Sequence, residues 1–153
     1  MTALLFVLHF ASTWYLVGLC WLVQRVQYPL MAEVGLGAFS GYEAGHVARI
    51  GPVVAPVMLL ELATGGWLWL AGGESFRRPL FGASMVLLGV VWLSTFFVQV
   101  PLHDALGAGF DAEKHAALVR TNWVRTVAWS ARGILLGILL VGMLRAPLSA
   151  VPR

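Results

Sequence analysis

Charge is what this sequence has least of. Only 11% of its 153 residues are Asp, Glu, Lys or Arg, where a soluble domain carries about 25%. With 59% hydrophobic residues and a mean hydropathy of +0.83, the shortage excludes an ordinary water-soluble domain. Lipid is the expected main solvent. Cysteine is nearly missing too: Cys20 stands alone inside an apolar run, which excludes a disulfide framework or a paired-cysteine metal knuckle within one chain. No patch mixing basic and aromatic residues lies outside the apolar runs. The net charge of +3 therefore reads as the basic flanks of membrane helices and not as nucleic-acid binding. The opening M-T-A-L-L-F-V-L-H-F-A-S-T-W lacks the basic start and small-residue cleavage site of a signal peptide, so a retained first span is expected. Internal repeats and low-complexity stretches are not expected, and nothing resembles a second soluble module. Residues 1–153 read as a single integral membrane domain.

Four runs are long enough to cross a hydrocarbon layer, which takes about 20 apolar residues. They lie at about 3–26, 52–71, 80–100 and 121–144. Proline and glycine punctuate them: Tyr28-Pro29, Gly51-Pro52, Gly72-Gly73, Pro79, Pro101 and Pro147. The expected fold class is an all-α membrane protein, a four-transmembrane-helix antiparallel bundle with short connections. Ser40-Gly-Tyr-Glu43 has the form of a capping box and predicts a short interfacial helix between spans one and two, with Glu43 serving only as its cap. Asp111 is the expected N-cap of the helix that enters the fourth span.

Two of the three connections lie on one membrane face, the motif face, with Arg25, Arg49, Lys114, Arg120 and Arg125 near it. Arg77, Arg78, Arg145 and Arg153 lie at the other. If several of the first group serve a site, the count of basic residues favours cytoplasmic termini. The cytoplasmic membrane is the expected location.

Polar residues recur at helical spacing within the apolar runs. His115, Leu118, Asn122, Arg125, Trp129 and Arg132 step by threes and fours and share one face. Comparable rows are His9, Thr13, Val17, Cys20, Gln24 and Gln27 on the first span, His46 to Glu61 and Thr64 on the second, and Trp92, Thr95, Gln99 and His103 on the third. Glu61 and Arg132 each lie about 14 Å from the motif face at 1.5 Å per residue. Isolated charges are costly there, so an intramembrane Glu61–Arg132 pair is expected. His9 reads as a histidine bonded to a neighbouring helix, and His115 as a residue of a wet interfacial turn.

Above that pair the residues fit a polar pocket for a lipophilic small molecule. Candidate catalytic residues are His46, His103, Arg125, Arg132 and Glu61, and candidate substrate-binding residues are Gln24, Gln99, Asn122 and Trp129. The two arginines would hold an anionic oxygen, and His46 or His103 would move the proton. His46 and His103 are also the candidate ligands for a haem or a metal ion, with a site free of any cofactor equally open. Gly133 and Gly137 form a G-x-x-x-G, which permits close helix packing or a homodimer. Besides the redox enzyme, a haem- or metal-binding bundle and a non-enzymatic transporter or accessory subunit remain alternatives.

Pro101, Leu102, His103 and Leu106, followed by Trp123 and Arg125, resemble the anthrone oxygenase-like family of small four-helix membrane proteins. There a Pro-Leu-polar-x-x-Leu segment closes the third helix, and a Trp and an Arg open the fourth. The resemblance implies oxidation of a polycyclic phenol-type substrate by O₂. A weaker similarity, Leu8–Leu19, is to the first helix of haem-associated four-helix membrane proteins. These include the membrane type of protoporphyrinogen oxidase and copper-resistance membrane proteins, and the similarity implies a cofactor role for His9.

Overall fold

In the computed structural model the described residues are 1–145. They form four long helices: α1 (Thr2–Met31), α2 (Phe39–Ala71), α3 (Pro79–Gly107) and α4 (Ala112–Arg145), each long and apolar enough to cross a membrane. Among the described residues there is no strand. The expected four-helix membrane bundle is the observed fold, and the chain reads as an integral membrane protein. Pro147 and Arg153, which entered the helix punctuation and the count of basic residues, lie outside the described residues.

The helices are longer than the apolar runs. With 34 residues, α4 extends about 51 Å, well beyond a hydrocarbon core of about 30 Å. The excess lies at the motif face, where α2 begins at Phe39 and α4 at Ala112. The expected separate interfacial helix is therefore the first turns of α2. The capping box does not form: Ala38 is the N-cap, and no side chain caps the helix. Pro52 and Pro56 lie inside α2 and do not bound it. The neighbouring apolar helices keep this stretch helical despite the lost backbone bonds.

Two π turns interrupt α1 and α3, at Val23–Gln27 and Thr95–Gln99. The Tyr28 N–H bonds to the Val23 carbonyl and the Val100 N–H to the Thr95 carbonyl, five residues back. A proline follows at once in each, Pro29 and Pro101. A proline ring crowds the carbonyl four residues before it, and the wider π turn makes room. The sequences match as well as the geometry: Val26-Gln-Tyr-Pro-Leu30 and Val98-Gln-Val-Pro-Leu102, followed by Gly35-x-Gly37 and Gly107-x-Gly109. The expectation of no internal repeat is overturned. The ends of α1 and α3 share this π turn and motif, and beside them the rings of Phe39 and Phe110 meet at 5.0 Å.

Packing is layered. Phe6, Leu68, Phe76, Phe81 and Leu136 fill the turn-face end, around Gly73, whose φ of 90° suits only glycine. Leu16, Cys20, Met58, Val91 and Trp129 form the middle layer. Tyr28, Met31, Phe39, Leu106 and Leu118 form the motif-face layer. Polar side chains occupy the gaps between layers, while residues such as Leu70, Val86, Phe97 and Ile134 cover the outside. Gly133 is used within the chain: a Cβ there would meet the Trp14 ring at 3.1 Å.

Candidate functional site

The lower gap holds a closed polar cluster. Arg132 pairs with Glu61, and both are fully buried. Glu61 Oε1 also accepts from Thr13 Oγ1 at 2.6 Å, and Oε2 from Trp129 Nε1 at 3.1 Å. Arg132 Nε donates to the Ser84 carbonyl at 2.9 Å, and Nη2 lies 3.3 Å from His9 Nε2. A guanidinium only donates, so His9 Nε2 accepts and its Nδ1–H donates to the Glu61 carbonyl at 3.1 Å. His9 is thus a neutral imidazole fixed between helices. The expected pair is present, but with its bonds filled neither Glu61 nor Arg132 reaches a ligand. Neither residue lines the cavity above them.

The upper gap is open. A cavity of about 360 Å³ lies on the α2–α3 side of the bundle, where these two helices meet mainly at the last turns of α3. Its rim is Val47, Leu59, Phe96 and Val100, all exposed on the outer surface of the bundle. A lipid-dissolved molecule would enter there sideways. Trp92, Trp129, Met58 and Leu16 close its deep end. Tyr28, His46, His103, Gln99 and Arg125, with Thr95 and Asp104, supply its polar wall.

Three helices build a hydrogen-bonded chain at the motif-face end. Tyr28 O–H, from α1 just past its π turn, meets His103 Nε2 at 2.9 Å. His103 Nδ1 meets Glu43 Oε1 of α2 at 2.5 Å. With Glu43 ionised, His103 donates from Nδ1 and accepts from Tyr28, the order of a hydroxyl, a base and an orienting carboxylate. Glu43 is therefore a buried partner of His103 and not a cap. Its Oε2 is buried without a partner among the described residues. Gln99, carried inward by the second π turn, lies 3.5 Å from the Tyr28 hydroxyl and donates to Thr121 Oγ1 at 2.9 Å.

Arg125 is the exceptional group. Its Nε and Nη2 donate to Asn122 Oδ1 at 2.9 and 2.6 Å, and Nη1 to Thr95 Oγ1 at 3.4 Å. Asn122 in turn donates to Gln24 Oε1 at 2.9 Å, and Gln24 to the Val119 carbonyl at 3.1 Å. Gln24 and Asn122 thus stand behind the wall and aim the guanidinium. Among the described residues no carboxylate pairs with Arg125.

Of the candidates, His46, His103, Arg125, Gln99 and Trp129 meet at the cavity. His115 is buried, and its Nε2–H donates to the Tyr28 carbonyl at 2.8 Å; it supports the tyrosine instead of facing water. Tyr28 and Glu43 were missed. The repeated V-Q-x-P-L signals the first, and the Glu43–His46 pair one turn apart signals the second. His46 and His103 lie 5.2 Å apart, ring to ring. Both nitrogens of His103 are engaged, and Nδ1 of His46 is bonded to Gln27. A metal at His103 would displace Tyr28 or Glu43. Among the described residues no group of three or more His, Cys, Asp or Glu side chains has metal-binding geometry.

Comparison with family models, curated proteins and solved structures finds no match for this chain.

Proposed function

We propose that the protein is a membrane-embedded, oxygenase-like redox enzyme. Its substrate is a lipophilic ring compound with an ionisable oxygen, entering from the bilayer between α2 and α3. The observation that carries this reading is an arginine with no carboxylate paired to it among the described residues, on the wall of a mainly apolar cavity, beside the Tyr28–His103–Glu43 chain. A cation kept in an apolar helix without a counter-charge is costly unless an anion visits it. The resemblance to anthrone oxygenase-like proteins supports the same chemistry.

In this reading Tyr28 and His103 accept the phenol proton, and Arg125 holds the resulting oxyanion. O₂ reaches the ring through the hydrocarbon. A ring methylene becomes a carbonyl, consuming one O₂ and releasing one water. The protein would lie in the cytoplasmic membrane with cytoplasmic termini.

The test is O₂ uptake and quinone absorbance when purified protein meets a tricyclic phenol bearing a ring methylene. One O₂ per quinone is expected, with Arg125→Met slower by about 10²-fold. Equal rates in the two proteins, or no uptake by either, would remove the reading.

A further inference from the structure

His46 belongs to two cavities. One side lines the lateral cavity; the other lines an outer groove of about 380 Å³ with Gln27, Gly41, Tyr42 and Arg49. It is 7% exposed, so it is the partition between a lipid-facing chamber and the motif-face surface. Gln27 pins its Nδ1, and among the described residues Nε2 has no hydrogen-bond partner. The groups around it are a proton relay in composition. His103 lies 5.2 Å away ring to ring, Tyr28 6.4 Å, and Glu43 one turn earlier on the same helix, with one carboxylate oxygen unpartnered. On the groove side Arg49 is turned back onto the Gly45 carbonyl at 2.9 Å, which leaves the groove open beside the ring.

We infer that His46 is the proton exit of this site, carrying the proton released by a bound phenol from the His103–Glu43 pair to the outer groove. The step balances: the ligand O–H breaks, the anion stays on Arg125, and one proton appears at the motif face. The inference rests on the proposed phenol-binding reading and adds a direction and a residue to it. His46 acts as a shuttle and does not touch the ligand oxygen.

The experiment uses the full-length protein in detergent and a membrane-soluble naphthol as probe. Stopped-flow absorbance reports bound naphtholate, and a pH dye reports proton release. Wild-type protein is expected to bind naphtholate with prompt proton release. For each naphtholate bound, His46→Gln should release the proton on the order of 10²-fold more slowly, with imidazole restoring the rate. Gly41→Leu, which fills the groove without touching the relay, should slow release too, and covers the case in which His46 variants fold poorly. Unchanged release rates in folded variants overturn the exit alone. No bound naphtholate in the wild type overturns the phenol-binding reading, and the exit with it.

Discussion

Two polar clusters lie one above the other in this bundle, and they differ in closure. In the lower one each charged or hydrogen-bonding group of Glu61, Arg132 and His9 has a partner, and no exposure remains. In the upper one, among the described residues, Arg125 lacks a carboxylate partner and Glu43 leaves one oxygen unpaired, and polar side chains line an open cavity. Residue type does not separate them, since each has an Arg, a Glu and a His. Satisfaction does. A filled intramembrane network fixes how helices pack, while an unfilled one beside a cavity keeps bonds free for a ligand.

The largest test of that contrast is on the closed cluster. Removing one member of a buried pair leaves the other uncompensated, at a cost of about 3–5 kcal/mol. Arg132→Leu and Glu61→Leu should each lose most folded protein in detergent. The double variant should recover much of it, because two apolar side chains leave no buried charge. Simple additivity in a double-mutant cycle of unfolding would show that the pair is not coupled.

Arg125→Met is the matching test above. Removing a cation without a counter-charge offsets the hydrogen bonds lost to Asn122. Stability should therefore change by no more than about 1 kcal/mol, while turnover falls by about 10²-fold. If Arg125→Met unfolds like Arg132→Leu, the contrast collapses and both clusters are structural. Tyr28→Phe sharpens it further. The ring remains in the motif-face layer, at a stability cost of about 1 kcal/mol for the lost hydroxyl bond, and turnover should fall by at least about tenfold. Thermal unfolding and O₂ uptake on the same preparations separate the two effects.

The lower cluster was legible in the sequence because its residues sit on straight helices. His9, Thr13, Glu61 and Arg132 fall on the faces that a uniform helical period predicts, and their depths match. The stripe from His115 to Arg132 holds for the same reason. The upper cluster was half hidden. Each π turn shifts the register by one residue, so the face that ends at Gln24 continues through Tyr28 instead of Gln27. Proline at 29 and 101 reads as an end of span, although each helix continues past it. Glu43 was masked by a competing local explanation, the capping box, which lost to a tertiary bond with His103.

A third site, in water, supplies the small end of the scale. Asp111 caps α4 as the sequence predicts: its Oδ1 accepts the N–H groups of Glu113 and Lys114, both at 3.0 Å, and Lys114 Nζ lies 2.9 Å from Oδ2. The backbone N–H and the side chain of Lys114 hold its carboxyl below the usual carboxylate range. A native pKa that is lowered means the cap contributes fully above the ordinary value of about 3.9. That contribution is lost as pH falls through the lower native value. Hydrogen-exchange protection of the Glu113 and Lys114 amides should follow this course in the wild type. Asp111→Asn, which keeps an acceptor without a charge, should stay flat with pH, and Asp111→Ala should be weakly protected throughout. Because water surrounds this cap, neither variant should alter turnover. A change in O₂ uptake with Asp111→Ala would mean that the start of α4 is coupled to the cavity through His115, and that the upper cluster extends further toward the surface than its hydrogen bonds do.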